Sequence, residues 1–145
     1  MFDPELSYGQ LPKLIGFALR RASIRDFSRF GYAVGDKAIT PLRYSVLEII
    51  GANPRIQQVK LADTLGLSRP AATLAINFWE ERGYVTRQRH GTDRRSYGIE
   101  LTEVGTRALE ELRRKVAEHD TSLTKSLSSE ELATLRSLVE RIYER

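Results

Sequence analysis

A three-residue connection between two helical patterns constrains this chain more than any other feature of its sequence. The connection is Gly66-Leu67-Ser68, in which the glycine suits a left-handed turn and the serine can cap the next helix. A short helix is predicted before it, over about 57–65, and a longer helix after it, over about 69–82. The longer helix has an inward stripe of residues spaced four and three apart, Ala72, Ile76 and Trp79. Two helices joined by so short a turn are typical of a helix-turn-helix motif, whose second helix can enter the DNA major groove.

The pattern changes from helix to strand after Gly83. Two strands are predicted, over 84–89 and 96–101, and the segment between them has the composition of a hairpin turn. The second strand has alternating apolar residues, Tyr97, Ile99 and Leu101. Across residues 82–95 there are five arginines and one aspartate, an excess of positive charge that favours a polyanionic partner. The hairpin can therefore place arginines on DNA phosphates or in the minor groove, with a solvated basic loop as the alternative.

Further helices flank this unit on both sides. An amphipathic pattern predicts a helix over about 11–30, with Gly31 and Gly35 suited to end it. Thr40 and Pro41 predict the start of a second helix that runs to about residue 50. Its predicted inward residues are Leu42, Val46, Leu47 and Ile50.

Two helices are predicted at the C-terminal end. Thr102 can cap a helix whose inward positions are Val104, Ala108, Leu109, Leu112, Val116, His119 and Leu123. Ser128 and Glu131 have the spacing of a capping box before the last helix. The terminal helices have more apolar surface than a small winged unit covers, which favours a homodimer. The alternative is that these helices pack on each other within one chain.

Composition excludes several classes of site. The chain has 145 residues, a net charge of +4, no cysteine and two histidines that lie 29 positions apart. Disulfides, thiolate chemistry, cysteine-based zinc sites and multi-histidine metal sites within the chain are therefore excluded. Neither a nucleophile elbow nor a phosphate-binding loop is present in the sequence, so we expect no enzyme, no metal and no cofactor. The acidic start and the absence of a long apolar run favour a cytoplasmic protein without membrane association.

Three sequence stretches together resemble the MarR-type transcriptional regulators. They are Leu61–Pro70 continuing through Glu80–Val85, the Asp93-Arg94-Arg95 run, and Leu101-Thr102-Glu103-Val104-Gly105. The resemblance covers about residues 40–110 and implies a mainly α fold with a small two- or three-stranded β wing. It implies one domain over 1–145, with a winged helix-turn-helix at about 38–105 and dimerisation helices at about 8–32 and 104–145.

The resemblance also implies a function. MarR-type proteins are homodimers that bind pseudo-palindromic double-stranded DNA operators and usually repress transcription. Many release DNA when a small aromatic compound binds between the dimer region and the winged helix. We therefore expect a repressor of a catabolic or efflux operon that responds to an aromatic acid or an aromatic acyl-CoA. The alternative is a winged-helix protein-interaction module without specific DNA binding.

The candidate DNA-binding residues lie on the second helix of the motif and in the hairpin. Polar residues opposite the inward stripe have the chemistry needed for base edges and phosphates, although Ser68 can be a helix cap alone, and Arg69 and Asn77 can be ordinary surface residues. Leu74 stands where relatives often have a basic residue, and it can contact a thymine methyl group or simply pack. The resemblance implies that Asp93 braces a neighbouring arginine. The candidate set is Ser68, Arg69, Pro70, Ala71, Thr73, Asn77, Arg89, Arg94 and Arg95.

The candidate effector-binding residues centre on the first helix, where arginines alternate with aromatic residues. This combination suits an aromatic anion, because the ring can be buried while the charge is paired. A solvated basic helix face is the alternative. The set is Phe17, Arg21, Ile24, Arg25, Arg29 and Tyr44. We interpret His119 as a hydrogen-bonded helix residue rather than a ligand or pH sensor.

Overall fold

The computed structural model describes residues 3–89 and 97–143 and has the predicted mainly helical fold with a small β wing. A 3-10 turn at Leu11–Lys13 precedes the other elements. These are α1 (Ile15–Val34), α2 (Pro41–Ala52), β1 (Ile56–Gln57), α3 (Gln58–Thr64), α4 (Arg69–Glu81), β2 (Val85–Arg89), β3 (Tyr97–Leu101), α5 (Glu103–Leu123) and α6 (Ser129–Tyr143). The sheet is antiparallel, with β3 between β1 and β2. None of the helices in the described ranges is long and apolar enough to cross a membrane.

Helix starts are fixed by local side-chain chemistry. The hydroxyls of Thr40, Ser68 and Thr102 each accept a hydrogen bond from the backbone N–H three residues further on. At α6 the capping box is complete, because the Ser128 N–H donates to Glu131 at 2.8 Å and the Glu131 N–H donates to the Ser128 hydroxyl at 3.2 Å. These interactions confirm the four predicted N-terminal signals.

The first helix differs from its prediction at both ends. Leu14 has an extended backbone, with φ −94° and ψ 123°, so the continuous helix begins at Ile15 and not near residue 11. Gly31 lies inside α1, and the prediction that it ends the helix was wrong. A Cβ at Gly31 would lie 2.7 Å from the Cα of Lys37, so glycine is present there because the returning chain packs closely. The helix ends at Gly35, where φ is 83°.

The core lies between α2, α3, α4, the sheet and the middle of α5. Trp79 is fully buried, and its indole N–H donates to the Arg43 carbonyl at 2.8 Å. The inward stripe of α4 is buried as predicted. Two positions predicted to face inward, Leu42 and Val104, are instead 40% and 51% exposed, because each is the second residue of its helix and lies at the edge of the core.

The terminal helices keep apolar faces that this chain does not cover. No residue of α6, all of which lies in the described part of the chain, is buried. Leu135, Leu138 and Ile142 are 44–57% exposed on it. Helix α1 packs against α5, but Ile15 and Phe27 remain at least 60% exposed. The alternative of mutual packing within one chain therefore holds for α1 and α5 and does not hold for α6.

Candidate nucleic-acid interface

The N-terminal end of α4 is an exposed polar surface. Ser68, Arg69 and Pro70 are exposed, and Ala71 is half-buried. The Ser68 hydroxyl is a helix cap, since it accepts from the Ala71 N–H at 3.3 Å. A helix N-terminus carries a partial positive charge and so favours phosphate groups. Four of the candidate DNA-binding residues are thus brought together at one accessible helix end.

The middle of the exposed α4 face is held by a polar network. The Thr73 hydroxyl accepts a hydrogen bond from the Gln58 amide at 2.6 Å and donates to the Arg69 carbonyl at 3.0 Å. The Asn77 carbonyl oxygen accepts from Arg87 at 2.8 Å. Two of the predicted base-contacting groups are therefore already engaged inside the protein.

Arg87 of β2 is the centre of this network. Its guanidinium donates to Glu80 at 3.1 Å, to Gln58 at 3.2 Å and to Asn77 at 2.8 Å. These partners lie on α4 and α3, so one side chain joins the wing strand to both helices of the motif. Sequence reasoning counted Arg87 only as part of a basic stretch. A hydrogen-bonding arginine opposite a helix cannot be recognised before the strand is placed beside that helix.

Leu74 is the apolar exception on the exposed face. Its side chain is 69% exposed. Leu74 is therefore not packed in the core, which was the alternative to a contact with a thymine methyl group. Pro70 and Ala71 precede it by four and three residues, so all three lie on one side of α4.

The far end of α4 is anchored rather than free. The Phe78 ring lies between two guanidinium groups, with the Arg82 Cζ 3.6 Å and the Arg43 Cζ 3.9 Å from its centroid. Arg82 also donates to Asp36 at 3.3 Å, and Arg43 donates to the Ala38 carbonyl at 2.6 Å. These contacts fix the C-terminal end of α4 against the segment before α2.

The remaining candidates are Arg89 and two arginines of the sequence between β2 and β3. Arg89 is the last residue of β2 and pairs in register with Tyr97. Arg94 and Arg95, with Asp93, lie outside the described residues, so their contacts with DNA stay predictions from the sequence.

Four of the six candidate effector residues lie together at one shallow, open cleft on α1. All the residues at this cleft belong to α1 and all but Arg21 are exposed, so the cleft is not enclosed: Arg21, Ala22, Ile24, Arg25, Ser28 and Arg29. Phe17 and Tyr44 are not among its lining residues. Tyr44 instead packs beside Phe30, with ring centroids 6.0 Å apart, and Phe30 itself is buried.

Tyr44 belongs to a second polar cluster, which joins α2 to α5. Its hydroxyl donates to Glu48 at 3.1 Å, and Arg113 donates to both carboxylate oxygens of Glu48. The hydrogen bond from Arg113 lowers the pKa of Glu48 below its ordinary value of 4.5. Burial, followed by the contact with Glu48, raises the pKa of Tyr44 to about 12.

His119 is a buried, hydrogen-bonded residue of α5. Its Nε2 lies 2.7 Å from Asp26 Oδ1, and its ring meets Phe30 edge-on at 5.5 Å. The interpretation of His119 as a hydrogen-bonded helix residue is confirmed.

Comparisons with known proteins agree with this geometry. The model of the MarR family matches residues 39–96. A Thauera aromatica protein, named as a transcriptional regulatory protein for the hcr operon, is 33% identical over 140 residues, which are 96% of this chain and 84% of that protein. The transcriptional repressor CouR bound to a 23-mer DNA duplex is 37% identical, with a TM-score of 0.87, covering 95% of this chain and 98% of CouR. CouR bound to p-coumaroyl-CoA is 34% identical, with a TM-score of 0.86, covering 95% and 97% of the two chains.

Proposed function

The chain belongs to the MarR family and is a transcriptional regulator rather than an enzyme, and we propose that it is a ligand-released repressor of a catabolic or efflux operon. In this proposal a homodimer binds a pseudo-palindromic operator, and a small aromatic effector releases it. The observation that carries the proposal is the exposed, capped N-terminus of α4, in a chain whose sequence after α4 is rich in arginine.

In the DNA complex, α4 lies in the major groove with its N-terminal end on the bases and phosphates. Ser68, Arg69, Pro70 and Ala71 make the first contacts, with Thr73 about one turn and Asn77 about two turns after Arg69 on the same helix. The hairpin arginines, Arg89, Arg94 and Arg95, contact phosphates or the minor groove. Support comes from CouR, which is 37% identical over nearly the whole chain and was solved on duplex DNA.

The homodimer is formed by the terminal segments, 8–32 and 104–145. The half-exposed leucines and isoleucine of α6 and the exposed apolar residues of α1 supply the surface to be buried. A two-fold arrangement uses the same faces from both copies and places two α4 helices about 34 Å apart, one turn of DNA.

The effector is an aromatic acid or, better supported, an aromatic acyl-CoA. Arg21, Arg25 and Arg29 line one cleft, and several guanidinium groups suit the phosphates of coenzyme A. CouR, the 34% identical relative, was solved with p-coumaroyl-CoA.

Fluorescence anisotropy with the DNA upstream of the chain's own gene tests the proposal. The protein should bind this DNA more tightly than a duplex of unrelated sequence. Its affinity should fall steeply between about 50 and 200 mM salt, because DNA binding releases counterions. Weak binding with little salt dependence would contradict DNA regulation and favour a protein-interaction module. Addition of an aromatic acyl-CoA should release the DNA.

A further inference from the structure

We infer that Leu74 is a specificity-determining residue that contacts the C5-methyl group of a thymine in the major groove. This inference rests on the proposed function, because α4 must lie in the groove of an operator. Leu74 is 69% exposed near the middle of α4, whereas the other large apolar residues of this helix are buried: Ile76, Phe78 and Trp79. Leu74 therefore contributes little to the core, and its exposed position needs another explanation.

Leu74 continues an apolar ridge on the outer side of α4. Pro70 is exposed and Ala71 is half-buried, and both lie one helical turn before Leu74 on the same side. In the major groove only thymine presents an apolar group, its methyl, beside hydrogen-bonding atoms. A ridge without donors or acceptors therefore fits a thymine edge better than any other base edge.

The polar neighbours of Leu74 have internal partners. Gln58 donates to the Thr73 hydroxyl, and Arg87 donates to the Asn77 carbonyl oxygen. Glu80, at the end of the same face, is paired with Arg87. The Asn77 amide N–H groups can still hydrogen-bond to a base. The 69% exposed side chain of Leu74 has no donor or acceptor, so it can discriminate between bases only by an apolar contact.

The contact differs physically from a phosphate contact. Leucine carries no charge, so its contact with DNA releases no counterions, and removal of the side chain leaves the salt dependence of binding unchanged. Burial of one methyl group corresponds to about a fourfold change in affinity, from about 0.8 kcal/mol per buried carbon group and 1.4 kcal/mol per tenfold. The expected signature is a modest, salt-independent preference for thymine at one position of each half-site.

Replacement of thymine by deoxyuridine removes only the methyl group and tests the contact directly. Duplexes bound by the full chain are selected from a random pool at fixed salt, and each thymine is then replaced in turn. We expect about a fourfold loss of affinity per half-site at one thymine for the wild type. Leu74→Ala should bind the thymine and deoxyuridine duplexes equally. Leu42→Ala, which changes a 40% exposed leucine on α2, should keep the wild-type sensitivity.

Three results would overturn the inference. Equal methyl sensitivity in Leu74→Ala and the wild type would do so, as would a wild type that is insensitive at every thymine. Both results leave operator binding intact, so the proposed function would stand. A wild type that selects no sequence from the pool would overturn both. The wild-type scan does not depend on how the variant folds.

Discussion

Arg113 of α5 holds Glu48 of α2 in a two-pronged ion pair. Its Nη2 lies 2.6 Å from Oε1 and its Nε lies 2.9 Å from Oε2. Helix α5 lies in the segment 104–145 proposed to form the dimer, and α2 packs against α4. The pair therefore links the proposed dimer region to the helix proposed to enter the groove.

Glu48→Gln should lower the free energy of unfolding by about 1 kcal/mol at neutral pH, a modest value because both side chains are partly exposed. Arg113 lowers the pKa of Glu48 in the folded state below 4.5. The stabilisation is therefore fully present above pH 4.5 and is lost as the pH falls through the lower folded-state pKa. Urea unfolding at about pH 7 and about pH 3 measures the difference.

The exposed pair of Arg114 and Glu118 provides the control for this prediction. Glu118→Gln should change stability by less than about 0.5 kcal/mol at both pH values. A deficit in Glu48→Gln that stays the same at low pH would show that the ionised carboxylate is not its cause.

Arg87→Ala should weaken operator binding by about tenfold, equivalent to about 1.4 kcal/mol, because the wing and α4 lose their shared hydrogen bonds. The slope of log affinity against log salt should not change, since Arg87 is paired with Glu80 and acts by positioning. Anisotropy titrations at several salt concentrations measure both quantities.

Arg95→Ala, at a residue predicted to contact phosphate, is the comparison for Arg87→Ala. It should weaken binding to all sequences about equally and reduce the salt slope by about two, one for each copy in the homodimer. If Arg87→Ala lowered the slope as much as Arg95→Ala, Arg87 would be a phosphate contact instead of a positioning residue.

Gly105→Ala should lower the free energy of unfolding by about 3 kcal/mol. A Cβ at this position would overlap the Tyr84 carbonyl, which is backbone and cannot rotate away. Thr106→Ala, at the exposed next position, should stay within about 0.5 kcal/mol of the wild type. Urea unfolding at neutral pH compares the two, and similar stabilities would contradict the close approach of α5 to Tyr84, the residue before β2.

The double variant Arg25→Ala/Arg29→Ala should reduce the rise in melting temperature produced by p-coumaroyl-CoA, because two guanidiniums lining the α1 cleft are lost. Arg107→Ala, which removes an exposed arginine of α5, should keep the wild-type rise. Thermal-shift measurements with the thioester and with its free acid give the comparison. An undiminished rise in the double variant would remove the basic cleft from the effector site.

The features that the sequence could predict depend on interactions between residues that are close along the chain. The hydroxyls of Thr40, Ser68 and Thr102 accept from backbone N–H groups only three residues away. Such helix caps can be predicted from a few consecutive residues. The network of Arg87 could not be predicted in this way. Its partner Gln58 is 29 positions away and becomes a neighbour only when the sheet packs beside α3 and α4.

Close packing and strand pairing set the other limit on prediction. The sequence predicts that Gly31 ends a helix, yet Gly31 lies inside α1. A side chain at this position would clash with the backbone of Lys37, which follows the end of the helix and comes close only when the chain folds back. Strand β1 has two residues, too few to show alternation, and exists because Ile56 pairs with Ile99. The arginines of α1 were predictable as a set, whereas the pairing of Glu48 with Arg113, 65 positions away, required the packing of α2 on α5.

The central claim is that two copies present their α4 helices to one duplex at a separation of one helical turn. Binding to duplexes that differ only in the spacing between the half-sites tests it most directly. We predict two chains per duplex and a loss of most of the affinity when about five base pairs are inserted, because one half-site then turns to the opposite side of the DNA. One bound chain per duplex, with an affinity that does not depend on the spacing, would contradict the account.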